Sequence, residues 1–118
     1  MFKDFLIVGL GGAVGSMMRY AITLLVGLLA WSPLWGTLSA NILGSLLIGM
    51  GMAASPAGSW QLFLTVGLCG GFTTFSTFSS QSLSLLQQGR YGLALAYMIG
   101  SVTVCILAVW LGRLIINH

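Results

Sequence analysis

Apolar residues follow one another along nearly the whole chain, in long stretches that short polar or proline-containing segments separate. A helix of about 20 apolar residues crosses the hydrocarbon core of a bilayer, and each stretch reaches roughly that length. The pattern therefore predicts four membrane-spanning helices, over residues 4–29, 34–54, 60–86 and 91–116. Pro33, Pro56 and a polar segment after residue 86 mark the links between them.

The composition places the chain among integral membrane proteins of the all-α class. It is 58% hydrophobic and 4% charged, and its mean hydropathy is +1.04, whereas a soluble domain needs many more charges on its surface. We interpret residues 1–118 as a single four-helix transmembrane domain. The first helix is expected to remain uncleaved, because its apolar run is too long for a signal peptide and contains Arg19.

Titratable side chains are too few for most catalytic or metal chemistry. Asp4 is the sole carboxylate residue and His118 the sole histidine, and each lies near one end of the chain. Cys69 and Cys105 lie far apart within apolar stretches, where cysteine behaves as a small hydrophobic residue. We therefore expect the protein not to be an enzyme. The basic residues are scattered, so no patch for nucleic acid is expected either.

The charges leave the orientation of the chain in the membrane open. With four spans both termini lie on one side, which carries Lys3, Asp4 and Arg113, while Arg90 lies on the other. The Lys/Arg bias that normally fixes orientation is thus small. Either the chain inserts in both orientations and assembles antiparallel, or the small bias is enough for a single orientation.

Small residues recur at every fourth position on three of the predicted helices. Gly11 and Gly15 form one pair, Gly67 and Gly71 another, and a third row lies at residues 92, 96 and 100. Such stripes let helix backbones approach closely in membranes. We expect close helix contacts, together with oligomerisation or a narrow pathway, because four short helices cannot enclose a wide pore.

Residues 70–82 are the most polar segment inside a predicted span. Gly70 and Gly71 open it near the middle of the third helix, where each glycine costs about 1 kcal/mol relative to alanine. The pair indicates either close packing or a helix break near the bilayer midplane, and the hydroxyl-rich run that follows favours a break beside a pathway. Phe75 and Phe78 share a helix face, which is typical of a core but also presents ring edges to an anion. The hydroxyl donors beside them are Thr74, Ser76, Thr77 and Ser79.

Further polar side chains lie within the other predicted spans. They are Thr37, Asn41 and Ser45 in the second helix, Tyr97, Ser101 and Cys105 in the fourth, and Arg19 in the first. Each could donate to an anion or attract one, and each also has a structural interpretation. For Asn41 it is bonding between helices, and for the fourth-helix residues it is a small-residue packing stripe with an interfacial tyrosine. For Arg19 it is capping a helix, bonding freed carbonyls or snorkelling to the interface. Donors without embedded carboxylates suit a small anion better than a cation.

Three motifs stand in order along the chain and resemble those of the Fluc (CrcB) fluoride channels. The first is Gly-Gly-Ala-Val-Gly at 11–15, followed by Arg19-Tyr20, and the second is Gly-Thr-Leu at 36–38, followed by Asn-Ile-Leu-Gly at 41–44. The third is long and the most specific, Gly-Leu-Cys-Gly-Gly-Phe-Thr-Thr-Phe-Ser-Thr-Phe at 67–78. Together they span nearly the whole chain.

The resemblance implies an antiparallel, dual-topology homodimer with two narrow pores in a bacterial plasma (inner) membrane. It also implies passive, selective fluoride export that lowers cytoplasmic fluoride and gives fluoride resistance. Phe75 and Phe78 would enclose the ion, and Asn41 would donate to it. The rest of the expected pathway comprises Tyr97, Ser101 and Cys105 as a polar track, Arg19 and Thr37 at the vestibule, and Thr74, Thr77 and Gln81.

A structural sodium ion is a further implication of the resemblance. The broken third helix would cross its counterpart at the dimer centre, where the main-chain carbonyls of Gly70 and Thr73 from both chains would hold Na⁺. Two positions depart from the family pattern. Gln81 stands where glutamate is frequent, and Cys105 stands where a hydroxyl is common.

Two other functions remain as alternatives. Small multidrug transporters are also short and four-helical, but they depend on a glutamate in the first membrane helix, which this chain lacks. The second alternative is a structural or assembly protein with a packed polar seam. As a channel, the protein would have fluoride, membrane lipid and a second copy of the chain as partners, with a heterodimer of two related chains left open.

Overall fold

The computed structural model describes residues 1–54 and 62–117. Its helices are α1 (Phe2–Leu28), α2 (Pro33–Ala54), α3 (residues 62–72), α4 (Phe75–Gln87) and α5 (Tyr91–Asn117). Four helical stretches of the described residues are long and apolar enough to cross a membrane, which confirms the predicted class. Pro56, His118 and the expected start of the third span at residue 60 lie outside the described residues.

The third span changes its backbone conformation along its length. Its first part, α3, is π-helical over Leu62–Cys69 and then α-helical. Thr73 (φ −84°, ψ 156°) and Thr74 (φ −147°, ψ 122°) are extended, and α4 begins after them. Gly70 and Gly71 are themselves helical, so the extended residues follow the glycine pair rather than coincide with it.

The two threonines cap the helices on either side of this extended segment. Both the N–H and the hydroxyl of Thr73 donate to the Cys69 carbonyl, each at 2.9 Å. The Thr74 hydroxyl accepts from the Thr77 N–H at 3.3 Å and so caps the start of α4. Threonine is suited to this position because its side-chain oxygen satisfies a donor that the helix itself leaves unpaired.

Glycines bring α1 into direct backbone contact with α3. A Cβ atom added at Gly15 would collide with the Leu68 carbonyl oxygen, and one added at Gly71 would collide with the Gly12 carbonyl oxygen. Gly11 and Gly67 face each other in the same way, with 3.0 Å between the Cβ position of one and the Cα of the other. The close approach expected from these two glycine pairs is confirmed.

The second close pair of helices is α2 with α5, and the row at residues 92, 96 and 100 takes no part in it. A Cβ atom at Gly49 would collide with the Val109 carbonyl oxygen, and one at Gly112 with that of Leu46. At Gly92 and Gly100, in contrast, no described atom lies within 4 Å of the Cβ position. The expected contact of that row is therefore absent within the described part of the chain.

Two short turns join α1 to α2 and α4 to α5 through the same hydrogen-bond pattern. After α1, Ala30 has φ 59° and its N–H donates to Gly27, while the N–H of Trp31 donates to Val26. After α4, Gly89 has φ 77°, and the matching bonds join residues 89 to 86 and 90 to 85. The left-handed residue lets the last carbonyls of each helix find donors.

Candidate functional site

A groove of about 240 Å³ opens between α2, the extended segment, α4 and α5. Its wall combines hydroxyls, one amide, one thiol and two phenyl rings with aliphatic side chains. The lining residues are Asn41, Ser45, Ile48, Thr73, Thr74, Phe75, Phe78, Ser101, Val102 and Cys105. Carboxylates, imidazoles and cations are absent from this lining set, and the described part of the chain holds no cluster of three or more His, Cys, Asp or Glu.

Asn41 connects α2 to the extended segment. Its Oδ1 accepts from the Thr74 N–H at 2.9 Å, and its Nδ2 donates to the Thr74 carbonyl at 3.3 Å. The side-chain amide therefore satisfies both main-chain groups of an extended residue, as a neighbouring strand would. An amide nitrogen carries two hydrogens, so a second hydrogen is available for a ligand in the groove.

Ser101 supplies an unpaired hydroxyl to the same wall. The residue is 5% exposed, and its Oγ has no hydrogen-bond partner among the described residues. Leaving a buried polar group unsatisfied costs roughly 1–3 kcal/mol, so this hydroxyl is poised to bond a small ligand. Cys105, one helical turn further along α5, adds a weak thiol donor to the wall.

Three aromatic rings stand in a row at the groove. The ring centroids of Phe75 and Phe78 are 5.6 Å apart, and those of Phe78 and Tyr97 are 5.2 Å apart, each pair tilted by 44°. Phe78 is buried between its neighbours, whereas the Phe75 side chain is 76% exposed. Aromatic rings carry a positive edge, so ring edges that face the groove would offer an anion weak attraction without a formal charge.

Arg19 approaches the third span from α1 and is not among the residues that line the groove. Its Nε donates to the Gly71 carbonyl at 3.1 Å. In a continuous α-helix the Phe75 N–H would reach that carbonyl, but the extended backbone of Thr73 and Thr74 intervenes. Arg19 thus bonds a carbonyl freed by the change of conformation, which is the structural role considered for it from the sequence.

The carbonyls of Gly70 and Thr73 are affected by the same change. In a continuous helix they would accept from the N–H groups of Thr74 and Thr77. Here the Thr74 N–H donates to Asn41, and the Thr77 N–H donates to the Thr74 hydroxyl. Both carbonyls therefore lose their usual helical donors, and Gly70 lies exposed at the surface of the chain.

The other residues of the expected pathway lie beside the groove rather than in its lining. Thr77 accepts from the Thr74 hydroxyl at 3.3 Å. Behind Phe78, the Tyr97 hydroxyl donates to Gln81 Oε1 at 2.8 Å, and Thr37 is buried on α2. The expected residues thus divide into the groove lining, this cluster behind it, and Arg19 on α1.

Four lining residues lie outside the fluoride pathway expected from the sequence. One of them, Thr73, was expected only as a main-chain ligand of Na⁺. Ser45, one helical turn from Asn41 on the same face of α2, was considered from the sequence as a possible anion donor but was not placed in the pathway. Ile48 and Val102 also line the groove. Nothing in the sequence indicates that these two residues line a groove, because aliphatic residues occur throughout an apolar helix.

The sequence model of the family described as "CrcB-like protein, Camphor Resistance (CrcB)" matches residues 6–113. This chain belongs to that family. A protein from Phocaeicola vulgatus is 45% identical over 115 residues, which cover 93% of this chain and 95% of the relative. One from Thermus thermophilus is 46% identical over 115 residues, covering 93% and 92%.

A third CrcB relative, from Rhodospirillum rubrum, is 44% identical over 118 residues that cover 92% of this chain and 91% of the relative. All three relatives are named "Fluoride-specific ion channel FluC". The family that the sequence motifs predict is therefore confirmed. The names describe channels rather than enzymes, in agreement with the expectation drawn from the scarcity of titratable residues.

Proposed function

We propose that this chain forms a fluoride-selective channel through which F⁻ leaves the cell passively, so that cytoplasmic fluoride falls. The observation that carries the proposal is its similarity, over nearly its whole length, to proteins named as fluoride-specific ion channels. The groove supports it, because its wall offers hydrogen-bond donors and ring edges and lacks carboxylates that would repel an anion.

The proposed ion site lies in the groove between the phenyl rings and α5. The second hydrogen of the Asn41 amide and the unpaired Ser101 hydroxyl donate to F⁻, and the edges of Phe75 and Phe78 complete its surroundings. Cys105 extends the track with a weaker donor. The remaining pathway residues, Arg19, Thr37, Thr74, Thr77, Gln81 and Tyr97, hold this wall in place or receive the ion at the vestibule.

An antiparallel homodimer inserted in both orientations is the proposed assembly. The Phe75 ring is 76% exposed, and Ser76, Ser79 and Ser80 beside it are exposed as well. The Ser79 hydroxyl donates to the Phe75 carbonyl and the Ser76 hydroxyl bonds that of Thr74, but a face with several hydroxyls is still unusual against lipid chains. We therefore propose that a second copy covers this face and completes the groove. The open position beside Gly70, where no described atom lies within 4 Å of a Cβ position, provides room for close approach.

A structural Na⁺ at the centre of that dimer fits the chemistry of the third span. The Gly70 and Thr73 carbonyls lose their helical donors, and main-chain carbonyl oxygens are suitable ligands for alkali cations. Two carbonyls from each copy would hold the ion without any carboxylate. In this proposal Na⁺ bridges the two copies and neutralises carbonyl dipoles that would otherwise face each other.

The proposed location is the bacterial plasma (inner) membrane, where the chain acts as one multi-pass domain over residues 1–118. The four membrane-spanning stretches and the bacterial origin of the named relatives support this placement. An inner membrane is also where passive exit of an anion from the cytoplasm must take place.

Fluoride efflux from liposomes tests the proposed function. Purified protein as the sole subunit should release F⁻ much faster than empty liposomes release it. Phe75→Ile and Phe78→Ile remove ring edges and should each lower the flux by about tenfold or more, the factor that corresponds to about 1.4 kcal/mol. Phe5→Ile, an exposed phenylalanine on α1, is the matched control and should retain the flux.

The same assay separates the alternatives. A small multidrug transporter would move an organic cation rather than F⁻, and a structural membrane protein would move neither. Absence of F⁻ release above the empty-liposome rate would exclude the channel. Normal flux in both phenylalanine variants would exclude a contribution of the ring edges while leaving the channel itself intact.

A further inference from the structure

Gln81 belongs to a chain of hydrogen bonds that ties three helices together behind Phe78. The Tyr97 hydroxyl on α5 donates to Gln81 Oε1 on α4 at 2.8 Å. Gln81 Nε2 in turn donates to the carbonyl of Pro33, the first residue of α2, at 3.4 Å.

The direction of each bond follows from the number of hydrogens available. A tyrosine hydroxyl has a single hydrogen, and that hydrogen goes to Gln81. The bonds therefore run from Tyr97 to Gln81 and then from Gln81 to Pro33. Tyr97 is buried, with 7% of its surface exposed, and water has little access to compete for its proton.

This arrangement bears on how fluoride reaches the tyrosine donor. Tyr97 packs against Phe78, which lines the groove, and lies one helical turn from Ser101. An ion that leaves the groove past Phe78 toward Tyr97 meets a hydroxyl whose proton is already engaged. F⁻ can accept that proton only if the bond between Tyr97 and Gln81 opens.

We propose that Gln81 is a positioning residue: its amide oxygen holds the hydroxyl proton of Tyr97, and fluoride gains this donor by displacing that oxygen. The inference rests on the proposed channel function. It adds that the Gln81 amide oxygen competes with F⁻ for the hydroxyl proton of Tyr97. An amide serves this purpose because it accepts from Tyr97 while its nitrogen remains anchored to Pro33. The Gln81 amide carries no charge, so it does not repel the anion while it competes for the Tyr97 proton.

Gln81→Met removes the acceptor while nearly preserving the size of the side chain. The Tyr97 proton then becomes available, and the fluoride concentration that gives half-maximal flux should fall by about two- to tenfold, the range that corresponds to the net worth of one hydrogen bond. The decrease should disappear in a Tyr97→Phe background, because no proton is left to compete for. Gln87→Met, at an exposed position near the end of the same helix, should leave the half-maximal concentration unchanged.

The outcomes distinguish this inference from its alternatives. A purely structural role of Gln81, as the link to Pro33, would lower the maximal flux equally with and without Tyr97 and would leave the half-maximal concentration in place. That result, or an equal decrease of the half-maximal concentration in the Tyr97→Phe background, would overturn the inference. Absence of F⁻ flux in the unaltered protein would instead overturn the proposed function itself.

Discussion

At the scale of single residues, Asn41 shows how one side chain combines two tasks. Its oxygen and one of its hydrogens are bonded to the main chain of Thr74, and its second hydrogen is free to face the groove. The first task supports extended backbone inside a membrane, where an unpaired peptide group is costly. The second contributes a neutral donor to the proposed ion site.

Replacing Asn41 by Asp separates these tasks without a change of size. The carboxylate can still accept from the Thr74 N–H but cannot donate to the Thr74 carbonyl, which lies 3.3 Å from the present nitrogen. It also places a negative charge in the groove. We expect fluoride flux in liposomes to fall at least about tenfold at neutral pH.

Asn41→Asp requires a control for folding, because the loss of one hydrogen bond also weakens the link to Thr74. The variant should still purify with the oligomeric state of the unaltered protein, as judged by size-exclusion chromatography with light scattering. Retention of full flux together with normal assembly would argue against Asn41 as part of the ion site.

At the scale of elements, the third span depends on contacts from other helices. Arg19 on α1 bonds the Gly71 carbonyl, and Asn41 on α2 bonds Thr74. These bonds replace those that the extended residues remove from the helix. The glycine seam with α1 holds the first half of the span close enough for the Arg19 bond to form. Helix packing and local conformation are therefore coupled in this region.

Gly15→Ala tests the seam between α1 and α3. The added Cβ would meet the Leu68 carbonyl oxygen and would lie 2.7 Å from the Phe72 nitrogen, so the two helices must separate. We expect lower thermal stability in detergent and weaker fluoride flux. The measurements are the midpoint of thermal unfolding and the liposome efflux rate.

Gly9→Ala is the matched control on the same helix. No described atom lies within 4 Å of its Cβ position, and alanine favours helix over glycine by about 1 kcal/mol. This variant should be as stable as the unaltered protein or more so. Equal stability of the two variants would show that the close contact at Gly15 contributes little.

At the scale of the whole molecule, the chain has two well-packed helix pairs and one polar face without a described neighbour. The pairs are α1 with α3 and α2 with α5. The polar face includes Phe75 and the exposed hydroxyls next to it, beside the groove. A single copy therefore leaves the groove open on the side where the homodimer is proposed to close it.

Dual topology makes a direct prediction about the C-terminus. Reporter proteins that are active on only one side of the membrane, fused after residue 118, should both give a signal, because the small bias between Lys3, Arg113 and Arg90 allows either orientation. Additional lysines placed at the C-terminus should favour one orientation and reduce the yield of active channels. A signal confined to one reporter would contradict an antiparallel assembly.

The sequence was sufficient for the membrane spans, because hydrophobic length is a property of each segment alone. The position of the extended residues was harder to predict from the sequence. The sequence predicted a break beside Gly70 and Gly71, whereas the extended residues are Thr73 and Thr74, where Asn41 and the threonine side chains satisfy the backbone. That compensation depends on a contact between residues 33 positions apart.

The types of residue in the candidate site were easier to predict from the sequence than their positions relative to one another. Phe75, Phe78, Asn41 and Ser101 do line one groove. The bond from Tyr97 to Gln81 was not expected, because it depends on how α4 and α5 are rotated about their axes. The order of apolar residues along a helix conveys little about that rotation, because lipid and protein interior are equally apolar.

The two left-handed turns have a consequence for the order in which the protein assembles. Their closing hydrogen bonds join residues no more than five positions apart, as from Trp31 to Val26 and from Arg90 to Leu85. Each helical hairpin can therefore form as soon as its own two spans have entered the bilayer during synthesis. The seam of α1 with α3 and that of α2 with α5 join non-consecutive helices and must wait for the later spans. We therefore expect two stages of biogenesis: each hairpin closes locally, and the contacts of α1 with α3 and of α2 with α5 then form more slowly within the membrane.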